Sequence, residues 1–133
     1  MATISYLLDT DILIDWLQDQ HFARRLILSP ELRFYCSNVT RKELLAKPGL
    51  QDSERRRIVL LLRVVRVLNV DSTISSAASE LLEKYSHRSL GTNDALIAAT
   101  ALVKHLPLLT RNRKHFEFLE EITLADIPPT AAG

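Results

Sequence analysis

A chain of 133 residues, 47% hydrophobic and 25% charged, has room for one domain with a sizeable core, and that balance excludes an intrinsically disordered chain. Seventeen basic against sixteen acidic residues give a net charge of +1, which excludes a tight, sequence-independent hold on nucleic acid through overall charge; such a partner must be held by a local basic rim or through metal ions. The single cysteine, Cys36, can make no internal disulfide and no cysteine-built zinc site, so it reads as a buried, inert thiol of a protein in a reducing compartment.

Met1 to Tyr6 lacks the basic start and long apolar run of a signal peptide, and apolar stretches such as Ile58 to Leu62 are too short to cross a bilayer. A cytoplasmic location without membrane contact is expected. Ile4 to Leu8 is a short apolar run without helical period, which predicts a buried strand ending at Asp9. Asp11 is the expected N-cap of a helix with Ile12, Leu13, Trp16 and Leu17 as its apolar stripe. A second helix is expected from about Phe22 to Leu28, stopping before Pro30, and a strand over Arg33 to Cys36. Asn38 or Thr40 starts the next helix, which Pro48-Gly49 ends.

Ser53 to about Val65 reads as a helix with a basic front and an apolar body, Arg66 to Val70 as a strand, and Asp71 or Ser72 to Tyr85 as a helix. The pair of helices over Ser53 to Tyr85 is expected to pack at one side like an insertion. After a loop over Ser86 to Gly91, Asn93 to Lys104 is apolar nearly all round and so predicts a central, buried helix. Pro107 to Thr110 reads as a strand, Asn112 to Phe116 as a helical turn and Ile122 to Leu124 as a last short strand. Strands alternating with helices predict an α/β fold, a three-layer sandwich with a short, mainly parallel sheet flanked by helices. The expected organisation is a single domain over 1–127 and a flexible C-terminal tail over 128–133.

In an open parallel sheet, ligands sit beyond the carboxyl ends of the strands. Asp9-Thr10-Asp11 follows the first strand, Glu43 lies a turn or so into the helix after the second, Asp94 opens the buried helix, and Leu109-Thr110-Arg111-Asn112 ends the fourth apolar run. Each acid has an ordinary structural explanation. Asp11 suits a cap, Glu43 stands at capping-box spacing from Thr40, and Asp94 complements a helix dipole. Asp9 is the exception, because a carboxylate directly after a buried strand needs a partner. Converging carboxylates would repel one another unless a divalent cation joined them. Mg²⁺ suits such a set, since it takes one or two carboxylates, keeps waters and binds substrate phosphate. The pattern therefore points to phosphodiester hydrolysis.

Leu7-Leu8-Asp9-Thr10-Asp11-Ile12-Leu13-Ile14 resembles the opening motif of PIN domains, and Asn93-Asp94-Ala95-Leu96-Ile97-Ala98-Ala99-Thr100-Ala101 is similar to the helix carrying their third acid. Leu109-Thr110-Arg111-Asn112-Arg113-Lys114-His115-Phe116 resembles their closing motif. With Glu43, the match runs through nearly the whole chain in order, and its flavour is that of VapC toxins. The resemblance implies a metal-dependent endoribonuclease using Mg²⁺, with Mn²⁺ able to substitute. Asp9, Glu43 and Asp94 would be its acids, with Asn112 beside them and Thr10, Asp11 and Thr110 in support. It further implies a homodimer and a VapB-like antitoxin that blocks the site. Many members carry another Asp three residues after the closing-motif Asn. Here His115 holds that position, leaving three strong acids, and it is expected to face outward.

Basic residues flank the proposed site, and Arg111 and Arg113 are the foremost candidates for contact with RNA phosphates. The apolar body of Ile58 to Leu62 with Val64 and Val65 exceeds one buried stripe, so part of it is expected to meet a partner helix. Two other readings start from the same residues. Asp-x-Asp after a strand also opens haloacid-dehalogenase-like phosphatases, but the chain is short, no Lys-plus-acid-pair motif follows, and position 13 is Leu where Thr or Val is expected. A non-catalytic PIN-like module that binds RNA or protein is compatible with His115, but it leaves the three acids unexplained.

Overall fold

The computed structural model describes residues 3–128; Met1, Ala2 and most of the expected tail, 129–133, lie outside the described residues. Strand β1 (Ile4–Leu8) leads through Asp9 into α1 (Thr10–Leu17) and α2 (His21–Ile27). β2 (Leu32–Ser37) runs directly into α3 (Asn38–Leu45), then α4 (Asp52–Val64) and β3 (Arg66–Leu68). α5 (Ser72–Lys84) and α6 (Thr92–Lys104) precede β4 (Leu108–Leu109) and a short 3-10 turn over Arg113–His115. All strand pairings are parallel and the order is β3-β2-β1-β4, so each connection is a crossover that carries helices onto a face of the sheet.

Alternation along the strands divides the core in two. Leu7 and Leu108 point to the face covered by α5 and α6, whereas Leu8, Cys36 and Leu109 point to the face covered by α1, α2, α3 and α4. Leu7, Leu8, Leu108 and Leu109 are all fully buried, each contributing about 2 kcal/mol by leaving water. α6 explains its composition here: Ala95, Ala98, Ala99 and Ala101 are buried and small, which lets the helix sit close to its neighbours. The architecture is the expected three-layer α/β sandwich.

Three local expectations are corrected. The helices over Ser53 to Tyr85 are not one packed insertion, because β3 joins the sheet between them and sends α4 and α5 to opposite faces. The last strand reduces to a single parallel bridge between Leu124 and Leu108. α1 is capped by Asp9 rather than Asp11: Asp9 Oδ1 accepts from the Thr10 N–H at 2.8 Å, and Asp11 falls in the first helical turn.

A candidate metal centre at the carboxyl edge of the sheet

The parallel register aligns four strand ends. Leu8 pairs with Cys36 and with Leu109, and Cys36 pairs with Val67, so the residues just beyond share one edge. Asp9 follows β1, α3 follows β2 after Ser37, and Thr110 follows β4. Asp9 is nearly buried and doubly held, with Oδ1 on the Thr10 N–H and Oδ2 accepting from the Thr110 hydroxyl at 2.8 Å. That hydroxyl has one proton. Donating it to Asp9 leaves Thr110 Oγ1 to accept from the Asn112 N–H at 3.0 Å. Asp11 Oδ2 is held at 2.8 Å by the Arg111 N–H, while Asp11 Oδ1 is buried without a hydrogen-bond partner among the described residues.

Glu43 is not the capping-box residue its spacing suggested. α3 is capped by the Ser37 side chain, which accepts from the Val39 N–H, and Glu43 instead reaches across to α1. Its Oε1 accepts from Thr10 Oγ1 at 3.2 Å. With that proton spent on Glu43, the 2.9 Å contact between the Thr10 and Thr40 hydroxyls is donated by Thr40. Thr40 is fully buried, and the sequence marked it only as a possible helix start. Asp94 lies in the first turn of α6 as expected. Its Oδ2 is 3.2 Å from His115 Nδ1, so His115 turns toward the acids and not outward, although its side chain stays 57% exposed.

Burial is the leading cause that raises the proton affinity of Asp9, Asp11, Glu43 and Asp94 alike, and mutual repulsion adds to it. Asp9 feels Asp94, Glu43 feels Asp9 and Asp94, and Asp94 feels Asp11. The acids therefore share one electrostatic neighbourhood. Among the described residues, however, no three carboxylate or imidazole side chains stand close enough to ligate one ion together. The donor set still fits a hard cation that binds one or two carboxylates and meets the others through water. The unpartnered Asp11 oxygen and the accumulated negative charge are the features such an ion would relieve.

The basic candidates are more engaged than their sequence suggested. Arg111 makes a two-pronged pair with Asp15, Nε to Oδ2 at 2.5 Å and Nη2 to Oδ1 at 2.7 Å, and its guanidinium lies over the Phe22 ring. That pairing leaves part of the guanidinium's five-donor fork for a phosphate. Arg113 Nη1 donates to the Ala125 carbonyl at 3.2 Å. Asn112 is exposed and its side chain does not cap the turn it precedes. Asp15, buried on α1, was missed by the sequence reasoning. Its signal was available: Asp11 and Asp15 stand one helical turn apart, a like-charge spacing that calls for a cation.

Residues 6–120 match the PIN domain family. With most of the chain covered by that match, and with the relatives below, this protein belongs to the PIN-domain family, in its VapC group. It is 35% identical over 120 residues to the ribonuclease VapC10 of Mycobacterium tuberculosis, a match covering 87% of this chain and 89% of that protein. Among solved structures, a chain of VapBC-1 from nontypeable Haemophilus influenzae superposes with a TM-score of 0.76 at 31% identity, covering 92% of this chain and 98% of its own. A chain of a toxin–antitoxin complex from Klebsiella pneumoniae superposes with a TM-score of 0.72 at 27% identity, covering 89% and 95%. The haloacid-dehalogenase-like alternative lapses with this membership.

Proposed function

We propose that this protein is an endoribonuclease that hydrolyses RNA phosphodiester bonds with a divalent cation, and that it acts as the toxin of a toxin–antitoxin pair. The observation that carries the reading is the neighbourhood of Asp9, Glu43 and Asp94 at one sheet edge, each with raised proton affinity. VapC relatives named as ribonucleases, and VapBC complexes of like fold, support it. Asp9, Asp94 and Glu43 would hold Mg²⁺, one or two of them directly and the rest through its waters, with Mn²⁺ as a substitute. Such an ion, when bound, lowers the pKa of water and offsets charge on the phosphate.

The chain's own residues prepare that chemistry. Thr110 fixes Asp9, and Thr10 fixes Glu43 through Oε1, leaving Oε2 as an acceptor for a proton from the attacking water. Asn112 and the rim cations Arg111 and Arg113 would orient the phosphate of a single-stranded or looped RNA. The reading includes a homodimer in the cytoplasm and a VapB-like antitoxin. A cleft of about 380 Å³ lies beside the site, lined by Ile14, Leu17, Leu44, Leu50 and Ile58 with Glu43 at its edge. An apolar antitoxin segment in that cleft would reach the acids. No helix among the described residues is long and apolar enough to cross a membrane.

The test is RNA cleavage by purified, antitoxin-free protein with Mg²⁺ or Mn²⁺ and with a chelator. Metal-dependent cutting is expected, falling at least about a hundredfold in Asp94→Asn while the fold is kept. RNA binding without any cutting would instead favour a non-catalytic module.

A further inference from the structure

At the opposite end of the sheet from the acids, a cleft of about 430 Å³ opens where β2 and β3 begin and α4 ends. Its apolar lining includes the buried Ile27 and Phe34. Arg33 of β2, Arg63 of α4 and Arg66 of β3 line the rest, with Tyr35 in register with Arg66. Three guanidinium groups thus converge from three elements, and among the described residues no acidic side chain lines the cleft. Elsewhere the fold pairs such groups: Arg24 and Arg57 share Asp19, and Arg111 holds Asp15. Arg33, Arg63 and Arg66 are exposed, and among the described residues their side chains make no ion pair or hydrogen bond. Their like charges repel until an anion joins them, and planar forks with no carboxylate to occupy them suit phosphate oxygens.

We propose that this arginine cleft is a second RNA-backbone site, holding a phosphate remote from the scissile one and so selecting RNA long enough to follow α4 along the molecule. The inference rests on RNA being the substrate, as argued under the proposed function. Leu8 pairs with Cys36, so Asp9 stands level with Ser37, and Arg33 lies four strand residues, about 13 Å, below that level. α4 joins the two ends. Glu54 and Arg57 line the cleft that Glu43 borders, whereas Arg63 lines the remote one. Exposed Arg56 stands seven residues before Arg63, on the same side of the helix and about 10 Å from it. That file of charge leads to the acids, where a phosphate must arrive, which favours RNA over an acidic protein segment. A net charge of +1 gives no overall attraction, so the hold on a polyanion falls to local concentrations of this kind.

The test measures binding of a labelled RNA hairpin by the purified full chain, free of antitoxin, in chelator and over a range of salt. Arg63→Ser/Arg66→Ser is compared with Arg25→Ser/Lys104→Ser, which removes the same charge from exposed positions outside the cleft. Circular dichroism checks the fold of both. The cleft variant is expected to bind about tenfold more weakly, with a log–log salt slope shallower by about 1.5, and the control to keep the wild-type slope. RNA should also protect Arg63 and Arg66 from phenylglyoxal, read by mass spectrometry. An equal loss in both variants would assign the effect to overall charge and overturn the proposal. So would protection of these arginines by inorganic pyrophosphate or by a protein partner where RNA gives none. Unchanged RNA affinity in the cleft variant, with metal-dependent cutting by the wild type, would overturn the cleft and leave the nuclease standing. The expected loss in a protein that never cuts RNA would do the reverse.

Discussion

Asp9 carries more constraints than any other side chain at the site. It caps α1, accepts from Thr110 across the sheet edge, and sits in the field of Asp94. Burial raises its proton affinity in the folded state, while an unfolded chain would return it to the ordinary value near 3.8. The ionised carboxylate therefore costs the metal-free fold stability at neutral pH. That cost is relieved as pH falls through the raised value and is gone below the ordinary one. Asp9→Asn, which keeps a capping oxygen, is expected to melt above the metal-free wild type at pH 7, with the gain shrinking on acidification. Adding Mn²⁺ should raise the wild-type melting temperature and leave the variant unmoved. Thermal scans at several pH values check both. A lower melting point for Asp9→Asn at pH 7 would contradict the like-charge account. Cys36 behaves oppositely to a reactive thiol: burial pushes it up to about 12, so it stays protonated. Iodoacetamide at pH 8 should label it only after unfolding.

At the scale of elements, the join between α1 and the segment after β4 decides whether the acids stay aligned. Arg111 serves it twice, through its backbone N–H on Asp11 and its guanidinium on Asp15. Asp15 is almost fully buried whereas Arg111 is about half exposed, so solvent screens the pair in part. Arg111→Ala would leave a buried carboxylate unpaired and is expected to cost about 1–3 kcal/mol in urea denaturation. Arg111→Lys should restore only part of that, because an ammonium cannot reproduce the planar fork. Full recovery with Lys would show that charge alone matters there. The reading of Arg111 as a candidate for RNA contact missed this role, since its partner stands 96 residues earlier in the chain.

For the whole molecule, the apolar surface beside the site is the feature that the fold alone leaves unexplained. Ile58 and Leu61 of α4 enter the core, but Val59, Leu60 and Val64 are exposed, and Ile14 of α1 is exposed beside the cleft. Ile14→Glu is expected to weaken antitoxin binding at least tenfold, with an unchanged unfolding midpoint. Leu60→Glu tests the outer face of α4 in the same titration. Undiminished binding in both variants would remove these surfaces from the antitoxin interface. Sedimentation should give twice the mass of a 133-residue chain if the proposed homodimer forms.

Local pattern determined a good deal of this protein. The apolar runs of β1 and β2, the Pro and Gly stops, the alanine-rich α6 and the acids in their order along the chain were all legible, because each depends on neighbours a few residues away. Tertiary structure decided which caps which and who pairs with whom. Asp9 displaced Asp11 as the cap of α1, Glu43 left its spacing to Thr40 for the Thr10 hydroxyl, and Asp15 found Arg111. His115 turned inward to Asp94. The physical reason is common to the last three, whereas the Asp9 cap is a contact with its own neighbour Thr10. A side-chain oxygen or nitrogen takes the partner nearest in space, and only the parallel register of β1, β2 and β4 brings residues so distant in sequence to a single edge.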